Sequence, residues 1–302
     1  MPPLTAIPAR TIAKAVHLRG VGLFCAAVCE LTMRPAERAG EGLVFRRVDL
    51  PGQPVIPVSH RHVIARERQT VLSLGEIRGS TPAPSVQTIE HVLSALAACG
   101  VSECVLDVSG PEVPMMDGSA QPFTEAVLKA GVVAVAGAPP CEPIRVREVI
   151  DLREGAARIQ ALPFEAGREP AEPTLAVSYA LEFDEGEVIG AQTAYFEVNH
   201  ARPDTDLYAA QIAPARTFCT EQQARLMAMA KMHAHLQPRD VLVIGAAGPI
   251  DNVLRFADEP ARHKVLDVIG DLALAGRPIH GRVVAHRSGH ALNQRLAAAL
   301  AG

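Results

Sequence analysis

One histidine and two aspartates follow each other at intervals of four residues near the end of the chain: His263, Asp267 and Asp271. Side chains four residues apart project from the same face of a helix. Zinc accepts both an imidazole nitrogen and a carboxylate oxygen as ligands, so His263 and Asp267 could bind one ion. The same spacing also fits a solvated helix face with an ion pair, and both interpretations stay open on spacing alone.

A second candidate pair is Glu90 and His91, early in a segment with helical periodicity. Adjacent side chains on a helix diverge by about 100°, so the two can take different roles. His91 would be a third metal ligand and Glu90 a base acting on metal-bound water, the arrangement of a catalytic zinc site with one open position. The pair also fits a purely structural role, in which the glutamate stabilises the helix because it lies near the positive end of the helix dipole.

The remaining histidines offer one candidate acid and two competing metal sites. His290 follows Ser288 and Gly289 between a strand and a helix, where it could act as a general acid or be an ordinary surface histidine. Two further pairs are each separated by one residue: His60 with His62, and His233 with His235. Neither pair has a third ligand nearby in the sequence, so we expect both to lie on the surface.

Composition excludes several classes of function. With 48% hydrophobic and 21% charged residues, the 302-residue chain is typical of globular proteins and long enough for about two domains. Aromatic residues make up 4% and the net charge is −4, which argues against nucleic-acid binding. P-loop and nucleophile-elbow motifs are absent, so a P-loop nucleotidase and an α/β-hydrolase are disfavoured.

The chain shows no sign of export or of a membrane span. Its N-terminus lacks a charged region followed by an apolar core, and no apolar run reaches about 18 residues. Cys25 and Cys29 are spaced as C-x3-C, but no second pair completes a zinc site, and six scattered cysteines are typical of free thiols. We therefore expect a cytoplasmic protein without a transmembrane segment.

Periodicity predicts alternating strands and helices. In the first half we expect strands at residues 10–18, 26–33, 71–77 and 103–109, and helices at 85–99 and 120–130. A Pro- and Gly-containing stretch at 136–143 is typical of a linker. After it we expect strands at 144–152, 157–162, 175–183, 193–198 and 279–286, and helices at 221–235, 259–275 and 291–301.

The two halves have a weak internal likeness. In each, a helix with a histidine near its start (His91 or His263) is followed by a glycine, a strand, a Ser-Gly pair and a second helix. This pattern predicts two similar α+β domains, residues 1–136 and 144–302, that face each other across a shared cleft. Glu90 and His91 belong to the first domain; His263, Asp267 and His290 belong to the second.

Five longer motifs follow one another along the chain. Residues 86–96 read VQTIEHVLSAL, 110–123 GPEVPMMDGSAQPF, 215–218 ARTF, 254–272 LRFADEPARHKVLDVIGDL and 288–293 SGHALN. With them the chain resembles the UDP-3-O-acyl-N-acetylglucosamine deacetylases, zinc amidases that catalyse the committed step of lipid A biosynthesis, from about residue 11 to the C-terminus. The resemblance implies an α+β fold of two similar domains. In each, a helical layer packs on a β-sheet, the helices are sandwiched between the sheets, and each domain carries a small insertion.

The resemblance also implies roles for ten residues. His91, His263 and Asp267 would bind Zn²⁺; Glu90 would be the general base, His290 the general acid, Asp271 its orienting partner and Thr217 an oxyanion-stabilising hydroxyl. Lys264, Phe183 and Phe218 would contact the substrate, with Phe183 matching a uracil-stacking phenylalanine. A base and an acid acting together predict a bell-shaped pH–rate profile.

Two segments depart from the family pattern. Phe24-Cys25-Ala26 stands where the family has His-Ser-Gly, and residues 233–240 replace a Gly-Gly-Ser-containing segment that shapes the acyl-chain passage. The changes concern substrate recognition, whereas the motifs of the metal centre are intact.

The expected substrate is therefore an acylated UDP-amino sugar, bound by a monomer, with transient contact with a membrane left open. Two alternatives remain. One is a zinc-dependent paralogue that deacetylates another UDP-linked or free amino sugar. The other is a non-catalytic zinc-binding relative that binds a nucleotide sugar.

Overall fold

Two main β-sheets, one from each half of the chain, form the frame of the protein. The structure is a computed structural model that describes residues 4–76, 82–183, 189–229, 235 and 241–302. Within these residues, helices and strands alternate in both halves, which confirms the predicted α+β class. The boundaries of the two domains stay a prediction.

The first half contains ten strands and two helices among its described residues. They are β1 (Arg10–Ile12), β2 (Val16–Val21), β3 (Val28–Pro35), β4 (Leu43–Arg47), β5 (Val55–Pro57), β6 (Val63–Ile64), β7 (Val71–Ser73), β8 (Ser85–Gln87), α1 (Glu90–Ala98), β9 (Cys104–Ser109), α2 (Gln121–Ala130) and β10 (Val132–Ala134). A short 3-10 helix, His60–His62, precedes β6.

The second half continues with nine strands and four helices in its described part. They are β11 (Ile144–Arg145), β12 (Ile150–Glu154), β13 (Ala157–Leu162), β14 (Thr174–Glu182), β15 (Ala191–Asn199), α3 (Thr205–Gln211), β16 (Phe218–Thr220), α4 (Glu221–Met229), β17 (Leu242–Gly245), β18 (Gly248–Pro249), α5 (Glu259–Leu272), β19 (Ile279–His286) and α6 (His290–Ala301). A 3-10 turn, Ala273–Ala275, extends α5.

The two large sheets have matching topology. In the first, the order is β2-β3-β9-β4-β5, with β9 antiparallel to β3 and parallel to β4. In the second, the order is β12-β13-β19-β14-β15, with β19 antiparallel to β13 and parallel to β14. In each half, therefore, the central strand follows the main helix (α1 or α5) and pairs in the same sense with its neighbours. This correspondence agrees with the predicted similarity of the halves.

The helices of the two halves pack directly on each other. Helix α5 contacts α1 as well as the sheet strands β14 and β15, and α2 packs beside α1. Apolar side chains from both halves form one continuous core. At the crossing, a Cβ on Gly270 would lie 2.0 Å from the carbonyl oxygen of Glu90, so only glycine permits this approach. The close crossing holds Glu90 and His91 beside the two predicted metal ligands on α5.

Several predicted elements are correct in place but wrong in extent. The helix expected at 85–99 begins at Glu90, because residues 85–87 pair as β8 with β7, and Thr88 then adopts a φ of 56° that reverses the chain. The strand expected at 144–152 is two strands, since β11 pairs with β19 and β12 pairs with β13. The strand expected at 10–18 is likewise split into β1 and β2.

Other predictions fall partly outside the described residues. The helix expected at 221–235 is described as far as Met229, and the strand expected at 71–77 is described as Val71–Ser73, with residue 77 outside the described ranges. Helix α3 was not predicted, although Asp204 accepts a hydrogen bond from the amide of Leu207 as an N-cap, a signal that the sequence contains. All six cysteines are free, as expected.

Candidate active site

Three predicted ligands converge at the crossing of α1 and α5. The Nε2 atoms of His91 and His263 lie 3.8 and 3.4 Å from Oδ1 of Asp267. One donor atom from each residue lies within 4.8 Å of the other two, a separation at which one metal ion can bind all three. All three residues are buried, so the interpretation of His263 and Asp267 as an ion pair on a solvated helix face is wrong.

The donor atoms have the protonation states that a metal ion requires. Burial and the neighbouring His263 lower the pKa of His91 to about 3, which leaves its imidazole neutral. The Nδ1–H of His263 donates to the carbonyl oxygen of Ala215 at 3.0 Å, so its Nε2 keeps a free lone pair. Oδ1 of Asp267 is buried and has no hydrogen-bond partner among the described residues. A buried carboxylate oxygen without a donor, facing two neutral imidazoles, fits a zinc ion.

Glu90 and His290 lie next to this centre on different elements. Glu90 is the first residue of α1 and His290 the first of α6, and Nε2 of His290 lies 3.9 Å from Oε1 of Glu90 and 4.0 Å from Oδ2 of Asp267. Burial raises the pKa of Glu90 to about 7. Burial alone would lower the pKa of His290, but the carboxylates of Asp271, Glu90 and Asp267 raise it to about 9. The two groups are therefore suited to act as base and acid.

Asp271 orients the imidazole of His290. Its Oδ2 accepts a hydrogen bond from Nδ1 of His290 at 2.9 Å and another from Nδ2 of Asn293 at 2.9 Å. With Nδ1 engaged, Nε2 of His290 is the atom that faces Glu90 and Asp267. This geometry matches the orienting role that the resemblance implies for Asp271.

Thr217 is held beside the ligand atoms by contacts of its own segment with α5. Arg216 pairs with Glu259, both buried, through an Nε–Oε1 distance of 2.7 Å, and Ala215 accepts from His263. The amide of Thr217 donates to the carbonyl of Gly118 at 2.7 Å. Its hydroxyl oxygen then lies 3.4 and 3.2 Å from Nε2 of His91 and of His263. A hydroxyl placed there could donate to a substrate oxygen bound at the metal position.

The three predicted substrate contacts line one cavity together with the three predicted metal ligands. The cavity has a volume of about 760 Å³. Nζ of Lys264 donates to Oδ2 of Asp267 at 2.8 Å and lies 5.7 Å from the ring centre of Phe218. The rings of Phe183 and Phe218 are 6.4 Å apart. The structure therefore brings all ten predicted site residues to one region of the molecule.

Sequence reasoning missed several residues of the cavity wall. Arg68 and Arg287 add two cationic side chains, and both have a left-handed backbone, with φ of 60° and 52°. Helix α4 contributes a mostly apolar wall that includes Met227 and Ala228. An arginine after a strand gives little signal in a single sequence. The positive φ values are visible only in the fold, and such strain is common at functional sites.

One of the two segments that depart from the family pattern reaches the same cavity. Phe24 lines it, and the carboxylate of the buried Glu112 accepts hydrogen bonds from the amides of Phe24 and Cys25. Among residues 233–240, only His235 is described, and its Nε2 lies 3.1 Å from the carbonyl oxygen of Gly22. The competing metal pair at 233 and 235 thus falls partly outside the described residues. His60 and His62 lie in the short 3-10 helix before β6.

Comparisons with known proteins agree with the geometry. A family model described as UDP-3-O-acyl N-acetylglycosamine deacetylase matches residues 9–302. A UDP-3-O-acyl-N-acetylglucosamine deacetylase of Thermosynechococcus vestitus is 36% identical over 99% of this chain and 96% of its own. Relatives of the same name from Nostoc sp. and Anaeromyxobacter dehalogenans are 35% and 36% identical over 95% of this chain, covering 96% and 85% of theirs.

None of the described helices has the length and apolar character needed to cross a membrane.

The match to the family model covers nearly the whole chain and includes each motif that supplies a residue of the site. The chain therefore belongs to the UDP-3-O-acyl-N-acetylglucosamine deacetylase family.

Proposed function

We propose that this protein is a zinc-dependent hydrolase that removes the acetyl group from the nitrogen of a UDP-3-O-acyl-N-acetylglucosamine, the committed step of lipid A biosynthesis. The observation that supports it most is the buried cluster of His91, His263 and Asp267, with Glu90 and His290 within reach of the same point. We infer the substrate from the names of the relatives, and we infer amide hydrolysis from the residues of the cluster.

His91, His263 and Asp267 hold the zinc ion. When bound, the ion polarises the acetyl carbonyl and lowers the pKa of a water molecule. Glu90 accepts the proton of the attacking water, and the hydroxyl of Thr217 donates to the carbonyl oxygen as negative charge develops there.

His290 completes the reaction. Its Nε2 protonates the leaving nitrogen, while Asp271 holds the Nδ1–H, so the products are acetate and a free amine. The raised pKa of about 9 keeps His290 protonated near neutral pH, as an acid must be before it acts. A nucleotide-sugar-binding protein without catalysis would have no use for a buried base and a buried acid at one point.

The cavity fits an acylated UDP-amino sugar. Lys264, Arg68 and Arg287 supply positive charge for a diphosphate, and Phe183 and Phe218 supply aromatic faces for a base. The apolar wall of α4 suits an acyl chain. Phe24 stands where the family has a histidine and cannot form the hydrogen bonds of that histidine. This difference supports one alternative function, a deacetylase that acts on another UDP-linked or free N-acetyl amino sugar.

Deacetylation assays on the purified protein test both readings. We expect acetate release from the acylated UDP-sugar, loss of activity with a chelator and recovery with Zn²⁺. Glu90→Ala should lose about 10²–10⁴-fold in kcat, the usual contribution of a positioned acid or base. Zinc-independent turnover or full activity of Glu90→Ala would contradict the mechanism. Preference for UDP-N-acetylglucosamine over its acylated form would favour the alternative substrate.

We also propose a monomer in the cytoplasm, with domains at residues 1–136 and 144–302. Light scattering on the purified protein and cell fractionation test the first two statements. Limited proteolysis tests the third, because cleavage should fall first in the 136–143 segment.

A further inference from the structure

Thr70, directly before β7, lies where groups from both halves of the chain meet. Its side chain is fully buried. Its backbone N–H donates to Oε2 of Glu90 at 3.1 Å, and its Oγ1 lies 2.5 Å from Oδ1 of Asp271 on α5. The same Oγ1 accepts a hydrogen bond from Nε2 of Gln294 on α6 at 2.9 Å. Thr70, a residue of the first half, thus contacts both the proposed base, Glu90, and Asp271, which holds the proposed acid.

The donors and acceptors fix the direction of this chain of hydrogen bonds. The side-chain nitrogen of Gln294 can only donate, so it uses an acceptor site of the Thr70 hydroxyl. The single hydroxyl proton is then directed to Oδ1 of Asp271, which as a carboxylate can only accept. Because Oδ2 accepts from Asn293 and His290, both oxygens of Asp271 are held. The carboxylate cannot rotate about its Cβ–Cγ bond without breaking one of these contacts.

We propose that Thr70 is a positioning residue that holds the acid and the base of the proposed reaction in fixed relation to each other. Its hydroxyl fixes the carboxylate of Asp271, and through it the imidazole of His290, whose Nδ1 also lies 3.4 Å from Oγ1 of Thr70. Its amide fixes Glu90. This inference rests on the proposed function for its chemistry, but the contacts themselves depend on this chain's residues alone.

A merely structural role makes different predictions. A buried threonine that only fills space would tolerate valine, which has nearly the same shape, except for the cost of two unpaired polar partners. That cost would appear in the free energy of unfolding, while kcat per folded molecule and KM would stay unchanged. A positioning role would appear in kcat, since the substrate does not need Thr70 in order to bind.

The first experiment compares Thr70→Val with Thr70→Ser. We expect kcat of Thr70→Val to fall about 10–100-fold, the usual cost of losing a group that orients a functional residue, with KM within about twofold. Thr70→Ser, which keeps the hydroxyl, should recover most of kcat. The matched control is Thr124→Val, because Thr124 on α2 is equally buried and its hydroxyl donates to the carbonyl of Ala120, the residue before α2, away from the site.

A double-mutant cycle tests whether Thr70 acts through Asp271. In the Asp271→Asn background, Thr70→Val should cost less than about threefold in kcat, because the carboxylate that the hydroxyl positions is gone. Full additivity of the two losses would overturn the proposal. So would a Thr70→Ser variant as impaired as Thr70→Val, or a Thr70→Val variant with unchanged kcat.

An NMR measurement on the zinc-free protein does not depend on turnover. The proton on Nδ1 of His290, identified by its absence from His290→Gln, should shift upfield in Thr70→Val and stay in place in Thr124→Val. An unmoved resonance in Thr70→Val overturns the positioning role even when the enzyme is active. If the resonance shifts while the wild type releases no acetate from any acetylated sugar, the proposed function fails and the contact of Thr70 with Asp271 stands.

Discussion

Two carboxylates flank the imidazole of His290, and their surroundings give them opposite tasks. Asp271 lies 2.9 Å from Nδ1 and accepts hydrogen bonds from His290, Asn293 and Thr70, so it is placed to support the imidazolium. Glu90 lies 3.9 Å from Nε2, and burial raises its pKa to about 7. A carboxylate whose pKa lies near neutrality can accept a proton and release it again.

The pH dependence of kcat/KM should be bell-shaped, with a basic limb set by His290 at or below about pH 9, since a bound cation also lowers the pKa of a nearby imidazolium. The acid limb belongs to Glu90, at or below about pH 7, since a bound cation lowers the pKa of a nearby carboxylate. In Asp271→Asn the charge that raises the pKa of His290 is lost. The required proton then leaves at lower pH, and the basic limb moves down by about 1–3 units.

Asp258→Asn is the control for this pH profile. Asp258 lies at the N-terminus of α5, the helix that carries Asp271, and it pairs with Arg262 instead of His290. Rates measured from pH 5 to 10 with saturating Zn²⁺ should show no shift of its limbs. A basic limb that is unchanged in Asp271→Asn would assign the acid to a group other than His290.

Lys264 carries a positive charge into the cavity, 2.8 Å from Oδ2 of Asp267. For Lys264→Met we expect KM for the acylated UDP-sugar to rise about tenfold, the worth of one charge-assisted hydrogen bond, while Lys264→Arg keeps most of the affinity. Zinc content per chain, measured by atomic absorption, shows whether Asp267 still binds the ion. Lys129→Met on the exposed surface of α2 is the control, and an unchanged KM in Lys264→Met would remove Lys264 from the substrate site.

At the scale of elements, the site depends on how closely α1 crosses α5. His91 is at the start of α1, and the other two proposed ligands lie one turn apart on α5. The spacing of the three side chains across the two helices is therefore set by the crossing distance. Gly270 determines that distance, because a Cβ there would lie 2.0 Å from backbone oxygen of Glu90. Backbone atoms cannot turn aside as the end of a side chain can.

Gly270→Ala should therefore weaken both the fold and the metal site. Overpacking of a tight contact costs about 1–3 kcal/mol in the free energy of unfolding, and separation of the helices moves His91 away from His263 and Asp267. Denaturant titration and zinc titration measure the two effects. Gly75→Ala, where the nearest atom would be 3.4 Å away, should leave both nearly unchanged. Wild-type zinc affinity in Gly270→Ala would show that the crossing does not set the ligand spacing.

Most helices and strands could be predicted from the sequence. The predictions failed where a segment became a strand because a neighbouring strand was available to pair with it. Strand 279–286 and the helices of α5 and α6 follow from strong periodicity, and the structure confirms them almost to the residue. Residues 85–87 continue the apolar period of α1, yet they form a strand because β7 offers a partner. The contact of Thr70 with Asp271, 201 residues apart, has no local signal at all, although the motifs around Glu90, His263 and His290 do.

The proposed metal site joins the two halves of the chain. His91 comes from the first half, and His263 and Asp267 come from the second. A ligand that binds only the folded arrangement stabilises it by RT ln(1 + [L]/Kd). If zinc binds at this cluster as proposed, its binding and the docking of the two halves are coupled, whichever forms first.

Zinc should consequently raise the melting temperature of the metal-free protein, with a gain of about 2.7 kcal/mol at a free concentration 100 times Kd. His91→Ala should lose most of this gain, because its remaining ligands lie on one helix and no longer join the halves. Calorimetry with and without Zn²⁺ measures it, and His62→Ala, from the competing histidine pair, should keep the full gain. A shift that survives in His91→Ala and disappears in His62→Ala would place the stabilising ion away from the crossing of α1 and α5.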